Sequence, residues 1–193
     1  MYERLIAGWQ PKNQYEKTLF GDALKAIGEV LQFLDRRNEA LSNYEQAIGI
    51  YREVGDRLGE ANTLFGLGNV SRSLDQIDQA IDYHQQALNI HRAIGALAGE
   101  AFTLWALGKD QDALEQYAAA IDFYQQSLDV YRQINSQFSQ AVLWRAIADS
   151  RAKLNQISEA CSAYEEARRF YLSIGMEEDA QECQDALNAL IEE

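Results

Sequence analysis

Residues 55–94 read GDRLGEANTLFGLGNVSRSLDQIDQAIDYHQQALNIHRAI. Moved forward by their own length of 40 they fall on 95–134, and moved again on 135–174; moved back they cover 15–54. A fixed period in this range marks a solenoid of repeated supersecondary units and outweighs any single-residue motif. Inside the unit, Leu64, Leu67, Ser71 and Leu74 recur at three- and four-residue steps, which puts them on one face of a helix. A second, wider stripe runs Ile77, Ala80, Ile81, His84, Ala87, Leu88, His91, Ile94. A face that wide needs cover on two sides, from its partner helix and from the next unit. The unit is therefore a helix pair.

The copies agree column by column. Leu24, Leu64, Leu104 and Trp144 form one column. Ile27, Leu67, Leu107 and Ile147 form the next, followed at once by Gly28, Gly68, Gly108 and Ala148. Leu34, Leu74, Leu114 and Leu154 follow, then Ala40, Ala80, Ala120 and Ala160. Tyr44, His84, Tyr124, Tyr164 and then Ala47, Ala87, Ser127, Ala167 close the set. The order Leu-x-x-Leu-Gly, then small-x-x-x-aromatic-x-x-small, resembles the tetratricopeptide repeat, in the longer form of kinesin light chain, LGN-like and many bacterial repeat proteins. The resemblance runs from about Gly21 to Ile174. It implies an all-α fold, an α-α superhelix of antiparallel helix pairs wound right-handed.

The punctuation agrees with helix pairs. Each glycine at 28, 68 and 108 costs about 1 kcal/mol relative to alanine inside a helix, so a repeated reason is needed. Close contact between the two helices of a unit supplies one. Asn38, Asp78 and Ser158 share a column before the second helix and are expected as N-caps, a pattern that Ala118 breaks. Gly55, Gly95, Asn135 and Gly175 are residue types that accept the left-handed conformation ending a helix. Asn13 with Glu16 is expected to form a capping box opening a helix to about Leu34. The charged start Glu177, Glu178, Asp179 suits the N-terminus of a C-terminal capping helix. One array over 1–193 is the expectation: 1–14 as an N-terminal cap or partial repeat, or a sign of a longer array; repeats at 15–54, 55–94, 95–134 and 135–174; a cap at 175–193. That makes about ten helices.

The net charge of −13 over 193 residues opposes binding to nucleic-acid phosphates or anionic membrane, which calls for a basic stripe. No apolar run is long enough to cross a bilayer, and no signal-peptide pattern opens the chain. Cys161 and Cys183 make no disulfide framework; Cys161 falls in a Leu/Ile column and reads as a small core residue. A cytoplasmic setting is expected. His84 and His91 face one way on a helix, but the other copies carry tyrosine there, so they read as packing residues and no metal is expected. Gly66-Leu67-Gly68 follows no strand and is no dinucleotide site. No catalytic constellation occurs, and neither an enzyme nor a cofactor is expected.

In tetratricopeptide proteins the first helix of each unit lines a concave groove that holds a peptide or helix of a partner protein. Carried over by column, the resemblance places Lys25, Phe65, Trp105 and Arg145 along this groove, with Asn69 and Lys109 one turn on and Phe102 beside them. Two aromatics flanked by two cations would anchor a ligand, the cations holding acidic groups. The alternative for Phe65 and Trp105 is packing between neighbouring first helices. Glu29 stands where a carboxylate clamp needs asparagine, which argues against that device. Two other roles stay open: self-association through the array ends, and service as the regulatory segment of a larger signalling protein.

Overall fold

The computed structural model describes residues 8–192. Among them are nine helices and no strand: α1 (Gln14–Phe33), α2 (Arg37–Val54), α3 (Arg57–Ser73), α4 (Ile77–Ile94), α5 (Leu97–Ala113), α6 (Tyr117–Gln133), α7 (Gln137–Lys153), α8 (Ile157–Ser173) and α9 (Glu177–Glu192). The start of the expected N-terminal cap, 1–7, lies outside the described residues. Packing divides the chain into two compact units, Met1–Ala96 and Leu97–Glu193. In the first, α1 packs on α2, α2 on α3 and α3 on α4; in the second, each of α5 to α8 packs on the helix that follows it.

The glycine column has the reason that its cost demanded. A Cβ on Gly28 would come within 2.8 Å of the Tyr44 ring, one on Gly68 within 2.4 Å of His84, and one on Gly108 within 2.3 Å of Tyr124. Each second helix thus lays a ring directly on the backbone of its first helix. Tyr44 is clasped twice, since a Cβ on Gly66 of α3 would meet it at 2.9 Å. Around it Ile27, Leu31, Ala40, Leu64, Leu67 and Val70 complete a buried cluster. At Ala148 the pattern relaxes. The Tyr44 and Tyr124 hydroxyls donate to side chains twelve residues back, Gln32 and Asp112, whereas that of Tyr164 donates to Asp149. The residue twelve back from Tyr164 is Ala152, which has no acceptor to offer.

The expected left-handed residues hold: φ is 76° at Gly55, 69° at Gly95, 55° at Asn135 and 76° at Gly175. A second left-handed column, unforeseen, ends the first helices: Asp35, Asp75, Glu115 and Asn155 have φ of 59°, 62°, 56° and 58°. Behind each, a backbone N–H reaches five residues back, Arg36 to Leu31, Gln76 to Ser71, Gln116 to Gln111 and Gln156 to Arg151, closing a tight turn. This turn corrects the capping expectation. The N-caps of the second helices are Arg36, Gln76, Gln116 and Gln156, none with a side-chain cap bond. Asn38, Asp78 and Ser158 sit two residues later, already helical, because the turn closes sooner than residue type suggests.

Glu115 lacks the short side chain that lets Asp and Asn accept this backbone. Glu115→Asn is expected to stabilise the protein by about 0.5–1 kcal/mol, read as a higher urea midpoint; an unchanged or lower midpoint overturns the assignment.

Other expectations hold or shift. The Glu16 N–H donates to Asn13 Oδ1 at 2.9 Å, while the Glu16 carboxylate accepts from the Asn13 side-chain amide at 3.0 Å and from the Lys12 N–H at 2.7 Å in place of the Asn13 backbone. Leu34, Leu114 and Leu154 are exposed, because the turn carries them out of the core. Cys161 is half-buried and Cys183 is the buried thiol, its pKa pushed up chiefly by burial. Glu60 is buried and answered by Arg52 at 2.7 Å and Arg57 at 2.5 Å, tying α2 to α3. On α9, Gln181, Gln184 and Asn188 stand where the other first helices carry residues that meet their own second helix. They hydrogen-bond along α9 itself, Gln181 to Asp185 and Gln184 to Asn188.

Candidate functional site

The candidate residues fall in both units. In the first, Lys25 is half-buried and paired to Glu29 at 3.0 Å. Phe65 packs at the edge of the core, tilted over His84 with ring centroids 5.5 Å apart. Asn69 accepts a hydrogen bond from Arg72 at 2.7 Å. All three are engaged locally.

The second unit brings Trp105, Lys109 and Arg145 to one cleft between α5 and α7, with a volume of about 360 Å³. Asp112 of α5, Val142 and Asp149 of α7, and the rings of Tyr124 and Tyr171 from the second helices complete its walls. Phe102 lies in an adjoining apolar pocket of about 110 Å³ with Tyr131, Phe138 and Leu143. Trp105 and Val142 border both cavities. The apolar pocket has a sequence cause. The column Asp22, Asn62, Phe102, Val142 turns from polar to apolar at the second unit. Where it is polar it receives a second-helix ring: the Tyr51 hydroxyl donates to Asp22 at 2.7 Å, and His91 Nε2 lies 3.3 Å from Asn62. At Phe102 the second-helix ring is still met, Tyr131 edge-on with centroids 5.9 Å apart, but without a hydrogen bond, and a pocket opens beside it with Phe102 and Phe138 both about half exposed (51% and 52%).

The cations of the cleft are engaged. Lys109 Nζ stands 4.7 Å from the Trp105 ring centroid, within cation–π range. Arg145 donates to Glu182 of α9 at 2.6 Å. Of the carboxylates, Asp112 accepts from the Tyr124 hydroxyl at 2.6 Å and from Ser150 at 2.9 Å. Asp149 accepts from Tyr164 at 2.5 Å through Oδ1; its Oδ2 has no hydrogen-bond partner among the described residues. Loss of solvent around its carboxyl pushes Asp149 above the usual carboxylate range. Tyr164 and Arg145 pull it down and Asp112 adds to the rise. Column reasoning found Trp105, Lys109 and Arg145 but passed over Phe138, Asp112 and the tyrosines of the walls. The apolar shift at Phe102 and Val142 was the signal available for the second cavity. Among the described residues no group of His, Cys, Asp or Glu is arranged to hold a metal, and no helix is long and apolar enough to cross a membrane.

The tetratricopeptide repeat pattern matches residues 20–93 and 68–133. The chain belongs to the tetratricopeptide repeat family. No curated protein matches the sequence. Among solved structures, the apo form of RapI aligns with a TM-score of 0.79 at 14% identity, covering 89% of this chain and 61% of that one. A Rap protein complexed with competence and sporulation factor aligns with a TM-score of 0.72 at 15% identity, over 98% of this chain and 51% of the other. The kinesin light chain-like repeats of Podosopora anserina align at 0.68 and 15% identity, over 90% and 95%. The chain thus spans under two thirds of the two Rap proteins. At these identities the likeness is one of fold alone, that of a helical repeat solenoid. Tetratricopeptide repeats are in general non-enzymatic.

Proposed function

We propose that this tetratricopeptide protein is a cytoplasmic interaction module that binds a short segment of a partner protein on the first-helix face of its second unit. One observation carries the reading: two cavities, one apolar and one charged, share Trp105 and Val142 on a face open to solvent. Buried aromatic anchors beside a polar rim are how interfaces concentrate binding energy. Rigid helices on both sides leave most of the ordering cost with the ligand. The Rap protein complexed with competence and sporulation factor lends support as a fold neighbour seen with a bound factor. In this reading Trp105, Phe102, Lys109 and Arg145 contact the ligand, whereas Lys25, Phe65 and Asn69 of the first unit stay with their local partners.

The test begins with peptides selected from a display library on the wild-type protein. Trp105→Ala is expected to weaken them by about thirtyfold or more, the scale of a hot-spot truncation, with the far-ultraviolet circular dichroism unchanged. Retained affinity in the variant moves the site elsewhere. Loss of helicity makes Trp105 a core residue instead.

A further inference from the structure

We propose that the cleft between α5 and α7 receives a cationic side chain of its ligand at Asp149, beside an apolar side chain lodged against Phe102, Trp105 and Val142. The inference rests on the peptide-binding reading above and reverses the acidic ligand that the cations of this face suggest in the sequence. The cations are already answered: Arg145 faces Glu182 and Lys109 lies over Trp105. Hydrogen bonds to the carboxylates come from hydroxyls alone, to Asp112 from Tyr124 and Ser150 and to Asp149 from Tyr164, while Arg145 and Lys153 act on Asp149 only through space. Hydroxyl donors satisfy the lone pairs and leave the charge in place.

Asp149 is thus an exposed carboxylate lining the cleft, with one oxygen bonded to Tyr164 and no hydrogen-bond donor on the other among the described residues. An acidic ligand group would have to break the Arg145–Glu182 pair and then lie near Asp149 and Asp112. An arginine or lysine meets an open oxygen and gains from both carboxylates. Charge complementarity selects the cation. Spacing adds the second half of the specificity. Because the apolar pocket and the charged cleft share Trp105 and Val142, an apolar and a cationic side chain adjacent in a ligand reach the two cavities together.

The probes are three capped dipeptides, acetyl-Phe-Arg-amide, acetyl-Phe-Gln-amide and acetyl-Phe-Glu-amide. Each is titrated into the full chain while the indole N–H resonance of Trp105, assigned through Trp105→Phe, is followed by NMR. The arginine peptide is expected to bind roughly fivefold more tightly than the glutamine peptide, the size of one partly screened charge pair, and the glutamate peptide more weakly than either. Asp149→Asn, which keeps an acceptor for Tyr164, is expected to abolish the arginine preference and leave the glutamine peptide unchanged. Equal affinities for the three peptides, or a preference that survives Asp149→Asn, overturn the charge proposal and leave the groove reading standing. No shift of Trp105 with any of them overturns both.

Discussion

Gly108→Ala is expected to cost about 2–3 kcal/mol of stability, the upper range for one methyl group forced into a packed interior. The added Cβ would lie 2.3 Å from Cε1 and 2.5 Å from Cδ1 of the Tyr124 ring, well inside any real carbon contact. The ring has little room to retreat. It is fully buried, and its hydroxyl is tied to Asp112, which Ser150 holds from the other side. Helix propensity alone predicts the opposite sign, since alanine is favoured over glycine by about 1 kcal/mol in a helix interior. The molecule contains its own control. Gly49, inside α2, would meet nothing within 4 Å on gaining a Cβ, so Gly49→Ala should be neutral or stabilising. Urea unfolding of both variants checks the contrast. Equal midpoints for the two would remove the ring-on-backbone account, and a Gly108→Ala/Tyr124→Leu cycle should show a coupling above about 1 kcal/mol if contact is the cause.

Tyr44→Ala is expected to be worse, at about 3–5 kcal/mol, the cost of emptying a large aromatic site in a core that cannot collapse. Tyr44 packs in the cluster of Ile27, Leu31, Ala40, Leu64 and Leu67, and its ring fills the space that both Gly28 and Gly66 leave open. Two backbones bound the cavity left behind, and helix backbones do not move in by the width of a ring. Tyr44→Phe separates the ring from its hydroxyl. That hydroxyl donates to Gln32 over a long 3.2 Å, so its loss should cost at most about 1 kcal/mol. A Phe variant as unstable as the Ala variant would show that the hydrogen bond, rather than the ring, holds this pair of helices.

Much of this architecture is legible in one chain because the sequence repeats. The glycine at 28, 68 and 108 looks like a defect in each helix alone and like a requirement once three copies share it. The left-handed glycines at 55, 95 and 175 are legible for a local reason, since the backbone they accept is one that side chains resist. The column at 35, 75, 115 and 155 escaped notice because Asp, Asp, Glu and Asn look like ordinary turn residues. Nothing in Asn38, Asp78 or Ser158 shows that the chain has turned helical two residues earlier; a hydrogen bond five residues back decides it.

The sequence by itself determined the helix pairs, their period and the close approach of the two helices at the glycine column. All of these follow from spacing along the chain, which a helix converts directly into direction. Only the tertiary structure decided what the first-helix face leaves open. Arg145 meets Glu182, 37 residues further on, Asp112 meets Ser150, 38 further on, and Trp105 and Val142, from different helices, become the shared wall of two cavities. Whether a charge is spent on a neighbour or left open to a ligand depends on distances of a few ångströms between helices. The column gives a residue its direction, and the packing of the next helix gives it its partner.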